Sequence, residues 1–280
     1  MAEDQGLIER AAGLLAGGGV VALTGAGIST ESGIPDYRSP EAAARPRKPI
    51  QGPEFARSPA MRRRYWARAM VGWERFRAAR PNAGHDALAS LEARGVLGGL
   101  ITQNVDRLHH AAGSANVIEL HGALAETGCL ACGRVIERDA LQERMQADNP
   151  WWGDAPVVAA PDGDADLPDA WLERFVVPEC DACGGILKPR VVFFGDNVAK
   201  DVVDRAYAWV DGARALLVVG TSLAVFSGYR FLRRAAERGI PTVIVNRGPV
   251  RGEELAAVKI EASTGETLAR LARLTSAGGT

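Results

Sequence analysis

The chain has 280 residues, with 33 basic and 34 acidic side chains, a formal net charge of −1, 47% hydrophobic residues and 24% charged residues. Near-neutral charge gives no general attraction to nucleic acid or to a membrane surface, and no apolar run reaches the ~20 residues that span a bilayer. The length allows one large core plus a smaller module.

The opening segment Met1–Arg10 is acidic and lacks the basic and apolar regions of a targeting signal, so a cytoplasmic protein is expected. Leu7–Leu15 repeats apolar residues at helical spacing, and Val20-Val-Ala-Leu-Thr24 is a short apolar run ending at Gly25-Ala-Gly27. That pattern predicts a buried strand feeding a tight turn. Further strands are expected at Gly99–Thr102, Val117–Leu120, Ala215–Val219 and Thr242–Val245, with a weaker one near Val258–Ile260. Helices are expected between them at Ala83–Ala93, Val105–Ala112, Lys200–Val210 and Phe226–Arg238. The alternation predicts an α/β fold with a doubly wound parallel sheet.

Two stretches interrupt it. Residues 41–79 are rich in Arg, Pro and aromatics and contain the helical run Ala60–Arg77; residues 126–189 surround an acidic, Pro/Gly-rich loop, Asp148–Asp169. These are expected to form a smaller inserted zinc-binding and helical domain, leaving 1–40, 80–125 and 190–280 as a discontinuous sheet domain.

All four cysteines fall in two pairs, Cys129-Leu-Ala-Cys132 and Cys180-Asp-Ala-Cys183. A redox dithiol would need one pair, whereas two knuckles supply the four thiolates of a tetrahedral zinc site. With no open coordination position the metal would be structural, stapling a module whose core is too small to fold unaided.

The most informative stretch is Gly25-Ala-Gly-Ile-Ser-Thr-Glu-Ser-Gly-Ile-Pro-Asp-Tyr-Arg38. Glycines after a strand let backbone amides approach a phosphate. A dehydrogenase fingerprint would carry Gly or Ala where Thr30 stands, and an acidic residue on a second strand about 20 residues later, where the Arg/Pro stretch lies instead. Both absences argue against hydride transfer.

This stretch resembles the cofactor loop of the sirtuins, G-A-G-x-S-x-x-S-G-I-P-D-[FY]-R. Further sirtuin-like blocks follow in order: Thr102-Gln-Asn-Val-Asp106, Glu119-Leu-His-Gly122, the cysteine pairs, Lys188-Pro-Arg-Val-Val-Phe-Phe-Gly195, Gly220-Thr-Ser-Leu223 and Ile244-Val-Asn246. Within that family Arg64–Arg68, Ala160–Asp164 and Ser227–Arg230 are most similar to the class II subgroup. Val105 replaces a commoner Ile, Asp196 stands where Glu often follows, and Ser227 occupies a position often held by Pro.

The resemblance implies a Rossmann-like NAD-binding domain, one structural zinc, and NAD-dependent removal of an acyl group from lysine. In such enzymes the acyl oxygen attacks C1′ of the nicotinamide ribose, nicotinamide leaves, and a histidine base then activates the ribose so that the acyl group migrates to ADP-ribose. The resemblance makes His121 that base, with Asn104 positioning the ribose and water. It assigns cofactor contacts to Gly25, Ala26, Gly27, Ser29, Ile34, Pro35, Asp36, Tyr37, Arg38, Gln103, Asn104, Val105, Asp106, Gly220, Thr221, Ser222, Asn246, Arg247, Gly248 and Thr264. Asn104 is also placed to cap the expected helix Val105–Ala112. The zinc ligands would be Cys129, Cys132, Cys180 and Cys183. An acyl-lysine protein or peptide would pair as a strand with Val192, Phe193, Phe194 and Gly195 and with Ser222–Val225. Tyr65 and Arg68, i and i+3 on one helical face, match a pair that reads acidic acyl groups. Competing readings are a mono-ADP-ribosyltransferase using the same cofactor residues, and a non-catalytic NAD-sensing or zinc interaction module.

Overall fold

A computed structural model describes residues 2–36, 50–151, 158–159, 165–166 and 169–275. Tyr37 and Arg38, and the Ala160–Asp164 stretch that bears on subgroup, lie outside the described residues. In chain order the strands are β1 (Val20–Thr24), β2 (Leu97–Thr102), β3 (Val117–Glu119), β4 (Gly122–Cys129), β5 (Val135–Glu137), β6 (Val158–Ala159), β7 (Ala165–Asp166), β8 (Leu187–Val191), β9 (Ala215–Val219), β10 (Thr242–Val245) and β11 (Val258–Ile260). The chain divides into two compact units, Met1–Ile34 with Arg80–His121 and Val198–Thr280, and Pro35–Ala79 with Gly122–Asn197.

The first unit is a six-stranded sheet in the order β11-β10-β9-β1-β2-β3, every pairing parallel. All five residues of β1 and of β9 are buried, which requires cover on both faces and explains their unbroken apolar character. Alternate residues feed opposite cores. Leu217, Val219 and Val243 pack with Ile8, Leu15, Leu88 and Leu271, while Leu216, Val218 and Ile244 pack with Val210, Phe231 and Leu232. The strand order reverses between β1 and β9, and in open parallel sheets the crevice beyond the carboxyl ends at that point receives ligands. The loops after β1, β2, β3, β9 and β10 therefore carry the candidate residues.

One expected helix is shorter than its sequence pattern. Helical geometry begins at Leu108 and ends at Ala111, not over Val105–Ala112. Arg107 adopts φ +59, which breaks the preceding turn, and Leu108 N–H donates to Asp106 Oδ1 at 3.0 Å. Asp106, not Asn104, supplies the side-chain contact at this helix start.

The second unit pairs β5-β4-β8 antiparallel beside the helix Pro59–Ala78. Ser58 caps that helix by accepting from Met61 N–H at 3.2 Å, and Pro59 opens its first turn. Its buried face packs Tyr65, Trp66 and Met70 with Phe55, Leu141, Met145 and Leu187, and Cys129 and Cys180 belong to the same core. Arg138 is buried with its guanidinium 4.7 Å from the Trp73 ring centre and donates to the Ala69 carbonyl, so the charge is held by π and carbonyl density.

Candidate functional site

The turn after β1 is held by contacts that only glycine permits. Gly27 N–H donates to the Gly220 carbonyl at 2.7 Å. Gly220 has φ +58, and a Cβ there would lie 2.4 Å from Ile28 N. The sequence points to these glycines as room for a phosphate; the structure adds that they let the turns after β1 and β9 interlock backbone to backbone. Thr264 Oγ1 reaches the Gly27 carbonyl at 3.4 Å, and Gly265 N–H reaches Glu31, so the last helix closes on the same turn.

The loop after β2 is wired into that turn. Gln103 donates through Nε2 to the Thr24 carbonyl at 3.1 Å and to Thr221 Oγ1 at 3.0 Å. Asn104, buried, donates to the Gly25 carbonyl at 3.2 Å and to Ser29 Oγ at 3.0 Å. Ser29 Oγ in turn donates to Asp106 Oδ2 at 2.7 Å. Both Asn104 amide hydrogens are therefore committed, which leaves Oδ1 as the acceptor it can offer a ligand.

Beneath this loop Thr24 Oγ1 bonds Thr102 Oγ1 and His109 Nε2, each at 2.9 Å, and the His109 and His85 ring centres lie 4.8 Å apart. Burial pushes both imidazoles below their ordinary range, so these rings are neutral packing elements near pH 7. After β10, Asn246 turns its Nδ2 onto the carbonyls of Arg247 and Gly248 at 2.7 and 3.3 Å. Ser222 and Val105 are half-buried beside these turns, and Ile34 is buried at the end of the first unit. Pro35 and Asp36 belong to the second unit.

His121 follows β3 at the same carboxyl edge. Its Nδ1 lies 3.0 Å from the Gln103 carbonyl and its Nε2 lies 2.8 Å from Ser227 Oγ. A carbonyl only accepts, so Nδ1 carries the hydrogen, and in the neutral ring Nε2 keeps its lone pair and accepts from the Ser227 hydroxyl. Burial lowers the basicity of His121; the Gln103 carbonyl opposes that and the Arg230 cation adds to it. In the sequence Ser227 stands out as part of the subgroup-like stretch Ser227–Arg230 and as a departure from a common proline, with no sign of an imidazole partner. Its pairing with an imidazole 106 residues earlier is a product of topology that no local pattern announces.

In the second unit the four Sγ atoms lie within 4.8 Å of one another, with Cys129–Cys183 at 3.6 Å and Cys132–Cys180 at 3.7 Å. Tetrahedral zinc with bonds of ~2.3 Å spaces its sulfurs by about 3.8 Å, so the donor set fits zinc and leaves no position for water. Gly185 is required beside it, because a Cβ there would come within 2.8 Å of Cys129 Sγ.

Val192–Gly195 is fastened at its end. Gly52 N–H donates to the Phe194 carbonyl at 2.9 Å, and Asp196 pairs with Lys188 at 3.1 Å. Phe194 remains exposed. Tyr65 meets Phe55, Phe193 and Trp66 edge-on at 5.5, 5.3 and 5.1 Å, and Arg68 is buried one helical turn away.

Two outcomes are expected. Stripping metal with a chelator unfolds the second unit, read as loss of its buried tryptophan fluorescence signature, and added NAD does not restore it; an unchanged spectrum would contradict the zinc assignment. For Ser227→Ala, an NMR titration should place the His121 pKa lower than in the wild type, because the hydroxyl accepts a charge-assisted bond from the imidazolium that is stronger than the one it donates to the neutral ring. A pKa that stays or rises would show that the contact carries no such energy.

A family model described as Sir2 family matches residues 25–227. An "NAD-dependent protein deacetylase" of Xanthomonas campestris is 51% identical over 249 residues, covering 89% of this chain and 85% of the relative. The "NAD-dependent protein lipoamidase sirtuin-4, mitochondrial" of Bos taurus is 50% identical over 252 residues, covering 89% and 80%. Among solved structures, one described as "Sir2-p53 peptide-NAD+" superposes with a TM-score of 0.71 at 30% identity, covering 90% of this chain and 91% of the other. With its parallel sheet, its four-thiolate cluster and half-identical relatives along most of its length, this chain belongs to the Sir2 family.

Proposed function

We propose that this chain is an NAD-dependent protein lysine deacylase that passes the acyl group to ADP-ribose and releases nicotinamide. The observation that carries the reading is His121: a half-buried, neutral imidazole presenting Nε2 at the carboxyl edge of a parallel sheet, beside the Gln103–Asp106 loop. Bound NAD would supply the ribose that accepts the acyl group.

The cofactor's phosphates suit the turns at Gly25–Gly27 and Gly220–Ser222, where backbone amides and hydroxyls gather at the switch point. Asn246, Arg247 and Gly248 would hold the adenosine ribose. Asn104 offers Oδ1 to the nicotinamide ribose, and Asp106, fixed by Ser29 and Leu108, offers carboxylate oxygens to the carboxamide. His121 takes a proton from a ribose hydroxyl at Nε2, and Ser227 gives up that position as the hydroxyl arrives. Zinc remains structural. No described helix is long and apolar enough to cross a membrane, and a cytoplasmic setting would keep the four thiols reduced and available to metal.

The acyl-lysine polypeptide would pair along Val192–Gly195. Tyr65 and Arg68 would read the far end of the acyl group, the guanidinium favouring a terminal carboxylate.

Incubation with NAD and an acyl-lysine peptide should yield nicotinamide and 2′-O-acyl-ADP-ribose by mass spectrometry. His121→Ala should lose about a hundredfold or more in rate. The acid limb of kcat/KM should fall below the ordinary imidazole value of about 6.5, because a lowered pKa keeps His121 neutral until the pH drops past it. ADP-ribosylated protein without deacylated peptide would mean transferase chemistry instead. Across acetyl-, succinyl- and lipoyl-lysine peptides, Arg68→Ala should depress the succinyl rate about tenfold relative to the other two; equal loss on all three would rule out carboxylate reading.

A further inference from the structure

The helix Phe226–Glu237 begins with two exposed apolar residues, Val225 at its cap and Phe226, 38% and 48% accessible. Phe226 is nearly half open, and cations surround it. The Arg230 guanidinium lies 5.1 Å and that of Arg233 5.7 Å from its ring centre. Phe226 adjoins Tyr229 at 6.5 Å, and Arg251 lies 4.1 Å over the Tyr229 ring. Two rings and three guanidiniums thus make one continuous strip on the first unit.

Elsewhere on this helix the arginines are spoken for. Arg234 and Arg238 grip Asp211 at 2.6 and 3.2 Å. Arg230 and Arg251 have no carboxylate partner among the described residues, and Arg233 has only the exposed Glu237 on its own helix at 3.2 Å. Stacking on a ring holds a guanidinium flat while leaving its in-plane N–H donors for a carboxylate. The strip adjoins the reacting end, because Ser227, next to Phe226 in sequence, bonds His121. A cationic, aromatic strip on a chain of net charge −1 is a local feature with a sign of its own.

We propose that the strip of Phe226, Tyr229, Arg230, Arg233 and Arg251 receives an acidic stretch of the substrate polypeptide, so that acyl-lysines flanked by Asp or Glu are preferred. The inference rests on the deacylase reading and names its substrate class. Apolar stems pack on the rings while carboxylates meet the guanidiniums, and Val225 extends the apolar floor. Single-stranded nucleic acid also stacks on rings and pairs with arginine, but only a polypeptide brings an acyl-lysine to the neighbouring imidazole, and that favours the acidic peptide.

The test uses three acyl-lysine peptides of one length and one acyl group, flanked by acidic, neutral or basic residues. In low salt kcat/KM with NAD should be about fivefold higher for the acidic peptide than for the neutral one, lower again for the basic one, and the spread should narrow as salt rises. In an Arg233→Gln/Arg251→Gln variant of unchanged Tm, the acidic-to-neutral ratio should approach one. Anisotropy of the same labelled peptides gives Kd ratios in the same order and reads the strip without turnover. Equal values for all three flanks, a ratio that survives in the variant, or tighter binding of an oligothymidine than of the acidic peptide would overturn the inference. If the neutral peptide is deacylated without any flank preference, only this inference fails; if no peptide is deacylated, the deacylase reading fails, and the anisotropy ratios alone decide the strip.

Discussion

A backbone carbonyl can only accept a hydrogen bond, and the Gln103 carbonyl sits 3.0 Å from His121 Nδ1. That single constraint sets the tautomer of the ring, turns the basic nitrogen toward Ser227, and gives the site its chemical polarity. The carbonyl is itself fixed, because the Gln103 side chain is fastened to the Thr24 carbonyl and to Thr221. Those partners end β1 and follow β9, so the orientation of the imidazole depends on the register of a parallel sheet, with its buried faces as the ultimate support.

The same logic runs through the neighbouring loop. Asn104 and Asp106 look in sequence like a helix start with two polar residues. In the structure each is oriented by Ser29, and Asp106 also accepts from Leu108 N–H at the start of the short helix. The contact at the helix start thus falls to Asp106, while the Asn104 amide is divided between the Gly25 carbonyl and Ser29. In the second unit a comparable division holds, with Cys129 and Cys180 lying in the apolar core while Cys132 and Cys183 face outward, so a bound metal would tie the core to its surface turns.

The sheet was legible because its strands are buried on both faces and therefore apolar without interruption, as at Ala215–Val219. The four-cysteine cluster was legible because two Cys-x-x-Cys pairs make the donor set of one tetrahedral metal, and their Sγ atoms gather within 4.8 Å. The start of the Leu108 helix was not, since the left-handed Arg107 carries no mark in sequence. Ser227 and the arginine–aromatic strip were not either. Both arise where the turn after β9 returns to the edge bearing His121, a juxtaposition set by topology and not by any window of residues. The glycines were marked in sequence as room for a phosphate, and the structure adds that they interlock backbone to backbone.

The most direct test of the account is the protonation pattern of His121 itself, read by nitrogen-15 NMR of the folded chain near pH 7. The account predicts a neutral ring with hydrogen on Nδ1 and a bare Nε2. Hydrogen on Nε2 in the neutral ring would contradict it, since the nitrogen proposed to receive a ribose proton would already hold one.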